Sequence, residues 1–370
     1  MSNVTQTRTI KMSEANQILP IAFRQKRPIF MWGPPGIGKS EMVKSIADSG
    51  VLGTTKVIDM RLALFEPTDL RGYPVPNVDT GTMQWLPPSD LPTAELSAQY
   101  ETIILFLDEL NSAAPSVQAA AYQLILDRKI GQYVLPENVV VMAAGNRESD
   151  KGVSYRMPKP LENRFVHFEL RVDFDDWFNW AVDKKINSDV VGFLNFAKND
   201  LYQFDPKSSS RGFATPRSWT YVGEFLDGEA GVLPEGLQTD IVAGCVGEGT
   251  AIKFMAHRKI ASDLPNPSDV LDGKVSTLKT KEISAMYALA TSMCYELKDR
   301  SDKCKETKDS TIFDESFSNF ISYMMDNFET EMVIMASRIA MKNYGLVPQQ
   351  SKIARFQDFF DKYGRLVLDS

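Results

Sequence analysis

With 370 residues, 43% hydrophobic and 24% charged, the chain has the composition of an ordinary globular protein long enough for two or three domains with cores of their own. A net charge of -7 and a pI near 5.2 argue against a protein whose main task is wrapping duplex nucleic acid and make proteins the expected partners. Cys245, Cys294 and Cys304 are too few and too widely spaced for a disulfide framework or a zinc site, which fits a cytoplasmic location. The polar leader at 1–11 has no apolar core and no later run approaches bilayer length, so neither a signal peptide nor membrane insertion is expected.

Residues 13–27 read as a helix with Ile18, Leu19, Ala22 and Phe23 on its inner face and Pro20 as a point of kinking. A short apolar strand at 28–32 runs into a Gly/Pro-rich loop at 33–40, and helical spacing resumes at 41–47. A second strand is expected at 56–60. Residues 66–92 are rich in Pro, Gly and Asp, and 78–82 read as the turn of a hairpin joining 73–75 to 83–85. The continuous apolar run at 102–107 ends in Asp108-Glu109, as a central parallel strand does when it delivers acids to its carboxyl edge. A helix at 116–127 and a buried strand at 138–144 follow. This strand, helix, strand order predicts an α/β core with a parallel sheet covered on both faces.

A short helix and the strand 166–170 close that core, and composition changes after Arg171. Helices are expected at 175–183, 190–201, 218–226, 239–257, 280–297, 313–343 and 353–363, with a charged linker at 299–309. The expected domains are therefore an α/β nucleotide-binding core at 1–171 with an inserted hairpin near 72–88, an α-helical lid at 172–228 and a helical C-terminal extension at 229–370. Met324, Met325, Met332 and Met335 read as core packing.

The chemistry is concentrated in the core. In Gly33, Pro34, Pro35, Gly36, Ile37, Gly38, Lys39 and Ser40, glycines let the backbone curl so that successive N–H groups face a polyphosphate, and the helix beginning near Glu41 adds its positive end. Lys39 can reach the β- and γ-phosphates, and Ser40 can ligate Mg²⁺. Asp108 can hold Mg²⁺ opposite Ser40, and Glu109 can polarise a water for in-line attack. Asn146, after the next strand, can reach that water or a γ-phosphate oxygen. Arg164 is well placed to enter a neighbour's site, with Arg156 ranked below it, and Arg217 can fold over the phosphates in cis. His167 and His257 are solitary, so neither histidine catalysis nor a histidine metal site is expected.

Taken in order, the phosphate loop, Leu105-Phe106-Leu107-Asp108-Glu109-Leu110-Asn111, Ala144-Gly145-Asn146, Leu161-Glu162-Asn163-Arg164-Phe165 and Thr215-Pro216-Arg217 resemble the AAA+ ATPases, specifically the MoxR-like, helix-2-insert group. Glu66-Pro67-Thr68-Asp69-Leu70-Arg71-Gly72 is similar to that group's stretch before its insertion. Ser112 departs from it, since the group commonly has arginine there. The resemblance covers about 13–226 and does not extend to the region beyond.

The resemblance implies a homo-oligomeric ring, usually hexameric, with ATP and Mg²⁺ between subunits, Arg164 as the finger in trans and Arg217 as the second sensor. It also implies a chaperone-like motor that remodels or activates a protein partner, such as a von Willebrand factor A domain protein, with the inserted hairpin on the pore or substrate side. Two alternatives stand beside it: a nucleic-acid motor of restriction, replication or phage DNA handling, and a nucleotide-dependent scaffold. The absence of Lys and Arg from residues 73–86 disfavours the first, and the full set of catalytic residue types disfavours the second.

Overall fold

The computed structural model describes residues 8–150, 155–262, 264–307 and 310–368, so the polar leader lies outside the described residues up to position 7. The chain divides into two compact units, one running to Asp176 and including Asp205–Ser208, the other made of Trp177–Phe204 and the chain from Ser209 onward.

In the first unit the elements follow in the order β1 (Thr9–Ile10), α1 (Met12–Arg24), β2 (Ile29–Trp32), α2 (Lys39–Asp48), β3 (Thr55–Arg61), α3 (Pro67–Arg71), β4 (Tyr73–Asn77), β5 (Thr82–Leu86), α4 (Ala94–Ser97), β6 (Thr102–Asp108), α5 (Pro115–Asp127), β7 (Lys129–Ile130), β8 (Tyr133–Val134), β9 (Val139–Gly145), α6 (Lys159–Glu162) and β10 (Val166–Leu170). Six of the strands form one sheet in the order β1-β10-β2-β9-β6-β3, every neighbouring pair parallel. β9 is buried throughout and β6 from Ile103 onward, which is why both read as unbroken apolar runs rather than alternating ones. Fully burying side chains such as Ile103, Leu105, Leu107, Val139 and Val141 contributes roughly 1.5–3 kcal/mol each, and this is what fixes the strands against one another.

The expected hairpin is the antiparallel pair β4–β5, in register Tyr73↔Leu86 to Asn77↔Thr82. Its base requires glycine: Gly72 has φ 82°, and a Cβ there would lie 1.9 Å from the Leu86 carbonyl oxygen. At its tip the Asn77 side chain accepts from the Asp79 and Thr80 amides at 3.1 and 3.2 Å. Two short pieces went unforeseen. Thr9–Ile10, inside the expected polar leader, pairs with the edge strand β10, and β7–β8 forms a small second hairpin.

The second unit is helical: α7 (Phe174–Asp183), which begins just before the unit boundary, then α8 (Ser188–Phe196), α9 (Pro216–Asp227), α10 (Glu235–Val246), α11 (Glu248–Ser262), α12 (Pro267–Leu271), α13 (Ile283–Thr307), α14 (Thr311–Asn327), α15 (Thr330–Arg338) and α16 (Phe356–Leu368). Thr215 caps α9 by accepting from the Ser218 amide at 3.0 Å, with Pro216 in the first turn.

Several expectations are corrected here. The helix expected at 239–257 is two, broken at Gly247 with φ 88°, and that expected at 313–343 breaks at Phe328 and ends in a π turn at Ile339–Asn343. The helix expected at 190–201 stops at Phe196 and is followed by a single 3-10 turn at Lys198–Leu201. The charged linker expected at 299–309 is the last part of α13 as far as Thr307, with 308–309 outside the described residues. Its charges pair along the helix, Arg300 with Glu296 and Lys298 with Asp302, and Arg300 also reaches Asp272 beyond it, so a run that reads as a linker is an ion-paired helix end. The boundary expected at 228/229 is no break in packing. Asn195 of α8 bonds Thr291 of α13 at 3.2 Å, and the Phe193 ring meets Trp219 and Phe254, each at 5.5 Å.

His257 of α11 is 3% exposed and lies against Phe193 and Phe196, with Nδ1 bonded to Ser284 and Nε2 without a partner among the described residues. Burial pushes its pKa from 6.5 down to about 4, opposed by the charge of Asp189. The folded state thus binds a proton less readily than the unfolded one, so this stabilisation is complete above pH 6.5 and is lost as pH falls toward 4. Chemical denaturation across that window should show the helical unit weakening by a component of about 3 kcal/mol. His257→Gln should lack that component; an unchanged pH profile in the variant would contradict it.

Candidate nucleotide site

The site lies where three neighbouring strands end. Because β9 sits between β2 and β6, the segments after Trp32, Gly145 and Asp108 emerge side by side at the carboxyl edge of the sheet, where open α/β sheets place ligands. The Gly33 amide donates to the Gly145 carbonyl at 3.2 Å, extending the β2–β9 ladder into the loop. Gly38 then turns into α2 with φ 93°, a left-handed conformation that admits glycine at little cost, and leaves the helix's first amides facing the loop. Pro34 and Ile37 are buried, while Pro35, Gly36 and Glu41 are partly exposed, Glu41 in the first turn of α2.

Lys39 Nζ donates to the carbonyls of Gly33 at 2.8 Å and Pro34 at 3.1 Å, and to Asn146 Oδ1 at 3.1 Å. These are oxygens that phosphate oxygens can replace around an ammonium. Ser40 Oγ donates to Asp108 Oδ2 at 3.3 Å. Asp108 is buried, and its Oδ1 accepts from the Glu109 amide at 2.9 Å. The Glu109 backbone is left-handed, with φ 55°, a conformation that costs a non-glycine residue about 1 kcal/mol or more and clusters at functional sites. It ends the strand abruptly and turns the chain into a 3-10 turn at Leu110–Ser112.

Two hydrogen-bonded pairs, Lys39 with Asn146 and Ser40 with Asp108, thus stand at adjacent strand ends, with Glu109 next in the chain after Asp108. The described Arg156 and Arg164 are exposed and take no part in those bonds, and Arg217, also exposed, belongs to the helical unit as the second residue of α9. No ion pair engages any of the three among the described residues.

Four further residues matter to which the sequence assigned no role of their own. Asn111 Nδ2 donates to the Asn146 carbonyl at 2.8 Å and so sets the direction in which the Asn146 side chain leaves the sheet. Gly145 makes room for it, since a Cβ there would lie 2.1 Å from Asn111 Oδ1. Arg147 pins the chain just beyond, pairing with Asp150 at 2.9 Å and Glu169 at 3.2 Å. Asp59 on β3 has its carboxyl pushed up by burial and by the charge of Asp108, against Arg61 and Lys44. Asn111 was visible only as the last letter of the Asp-Glu-Leu-Asn run; Asp59 and Arg147 carry no signal until the strands are paired.

The residues present suit Mg²⁺. Ser40 and Asp108 face one another with hard oxygen donors, the set this ion accepts when phosphates and waters complete its shell. Among the described residues no cluster of three or more His, Cys, Asp or Glu side chains forms an all-protein metal cage, and no helix is long and apolar enough to cross a membrane.

Residues 28–165 match the AAA domain (dynein-related subfamily). Over 177 residues the chain is 29% identical to midasin of Giardia intestinalis, a match that takes in 44% of this chain and spans only 3% of that protein's length. Among solved structures, the Holliday junction branch migration motor RuvB of Thermotoga maritima is 16% identical, with 76% of this chain and 80% of that one covered and a TM-score of 0.34. NtrX of Brucella abortus is 12% identical, with 89% and 68% covered and a TM-score of 0.39. At such scores these two likenesses bear no weight on function. The site geometry and the family match agree: the chain carries an AAA domain of the dynein-related subfamily on an AAA+ P-loop fold, the fold of an ATP-hydrolysing enzyme.

Proposed function

We propose that this chain is a MoxR-like AAA+ motor whose subunits assemble into a ring, usually hexameric in that group, and use ATP hydrolysis to remodel or activate a protein partner. The observation that carries this reading is the pair of hydrogen bonds, Lys39 to Asn146 and Ser40 to Asp108, at adjacent strand ends, with Glu109 held beside them in a strained turn. The amides of the 33–40 loop and Lys39 cradle the phosphates, with Glu41 close behind in the first turn of α2. Ser40 and Asp108 would hold Mg²⁺, which would supply Lewis-acid neutralisation of phosphate charge. Glu109 takes a proton from water as the water's oxygen attacks the γ-phosphorus in line and ADP leaves, while Asn146 holds that water or a γ-oxygen. Arg217 takes the second-sensor role that the MoxR-like resemblance gives it. Arg164, exposed and without an ion pair among the described residues, stabilises the γ-phosphoryl charge in the neighbouring subunit; Arg156 is the second choice for that role.

A protein client suits the β4–β5 hairpin. Tyr73, Val78, Met83 and Leu86 are each more than half exposed, and residues 73–86 contain neither lysine nor arginine, so the hairpin offers apolar contact and nothing to hold a phosphate backbone. A von Willebrand factor A domain protein is the kind of partner the MoxR-like reading favours.

Glu109→Gln should leave ATP affinity within about threefold while lowering turnover by roughly 10²–10⁴-fold, measured by nucleotide titration and steady-state hydrolysis. Turnover near wild type would remove Glu109 from the role of base. Arg164→Ala should lose roughly 10³-fold or more in turnover, and mixing it with Glu109→Gln subunits should restore activity at interfaces where an intact Glu109 meets an intact Arg164. If no mixing ratio restores any, the finger does not act in trans. Single-stranded DNA should leave the hydrolysis rate unchanged, and strong stimulation by it would favour the nucleic-acid motor.

A further inference from the structure

A lone histidine with no partner for a metal site or a catalytic triad is ordinarily a packing residue. His167 is distinguished by where its two hydrogen bonds end. Trp32 closes β2 and directly precedes Gly33, and its indole N–H donates to His167 Nδ1 at 3.0 Å. His167 stands on β10 opposite Phe30, and its Nε2 lies 2.7 Å from the Glu162 carbonyl oxygen. An indole nitrogen can only donate, so Nδ1 must accept and the ring's proton sits on Nε2, where it donates to Glu162. One rigid ring therefore spans from the residue before the phosphate loop to the last residue of α6.

Arg164 is two residues beyond Glu162, and its backbone is held on both sides. Its amide donates to the Leu161 carbonyl at 3.1 Å, and the Phe165 amide donates to the same Glu162 oxygen at 3.2 Å. Phe165 is buried and meets Phe30 edge-on at 5.4 Å, and Phe30 stacks on Trp32 at 4.2 Å. The segment bearing the exposed guanidinium thus rests on the same aromatic cluster that supports the start of the loop.

We propose that His167 is a positioning residue that ties the phosphate loop of a subunit to the arginine which that subunit offers its neighbour. The proposal rests on the reading of Arg164 as a finger acting in trans. A nucleotide settling into residues 33–40 loads the chain immediately after Trp32. The indole–imidazole bond weakens steeply once it is bent far from linear, so a rotation of Trp32 that bends it changes how firmly the imidazole holds the Glu162 carbonyl. The finger then reports, at the next site, whether its own subunit is loaded.

The test separates the two roles a subunit plays at a mixed interface. Donor subunits carry Glu109→Gln and offer Arg164 without turning over; acceptors carry Arg164→Ala and hydrolyse only with a neighbour's finger. His167→Phe keeps a flat ring and deletes both bonds. Added to the donor, it should lower the hydrolysis rate of the mixed rings about tenfold, the scale of one lost hydrogen bond; added to the acceptor, it should change the rate less than about twofold. Trp32→Phe, which removes the indole N–H and keeps an aromatic ring, should reproduce the donor-side loss. A substitution that merely loosened the fold would depress both roles alike, so equal losses, or no loss in the donor, overturn the proposal. Mixtures without any change at Trp32 or His167 report on the reading beneath it: if those recover no activity, the trans finger fails and the relay with it.

Discussion

The contact on which the site depends is the Lys39 ammonium, shared by the carbonyls of Gly33 and Pro34 and by Asn146 Oδ1. Two of these oxygens belong to the loop after β2 and one to the segment after β9, so a single cation fastens two strand ends together. Hydrogen bonds to a charged group contribute roughly 1.5–3 kcal/mol each, which is enough to keep the loop curled. They are also exchangeable. Phosphate oxygens offer the same ammonium stronger partners, so the loop is held in a shape that nucleotide can take over.

That contact is available only because the sheet places β9 between β2 and β6, and the sheet is held by apolar burial far larger than any cost at its edge. The left-handed turn at Glu109 and the buried Asn111 Oδ1, without a partner among the described residues, each cost of order 1–3 kcal/mol. Each is smaller than the burial of two or three strand residues in the same core. Strain is concentrated at the carboxyl edge, where it aims side chains, and the apolar interior of the sheet offsets it.

Much of this was legible in the sequence because the signals were local. The loop at Gly33–Ser40 needs only its glycines, its lysine and its flanking strand and helix, and Asp108–Glu109 needs only the apolar run before it. What stayed hidden depends on neighbours distant in sequence or on backbone angle. No periodicity shows that Asn111 will reach the carbonyl after β9, that Glu109 will adopt a positive φ, or that Trp32 and His167, 135 positions apart, share a hydrogen bond. The helical unit was misread for a related reason. Gly247 breaks a helix through one left-handed angle inside an otherwise helical run, and the charges of 299–307 look like a linker until their pairing along α13 is seen.

The distribution of cations bears on the proposed ring, in which each site borrows an arginine from a neighbour. A nucleoside triphosphate carries more negative charge than one lysine offsets, and the charge on the transferred phosphoryl group is what a catalyst must meet. Within the α/β unit Arg147 is committed to Asp150 and Glu169. Arg164 has no such engagement among the described residues, and in solvent an exposed guanidinium gains little from surface pairing. Against a phosphate in a site shielded from water the same group is worth several orders of magnitude in rate. On the proposed reading of Arg164 as a finger in trans, its exposed guanidinium, with a backbone held by two hydrogen bonds beside the buried Phe165, is available to a phosphate on another subunit.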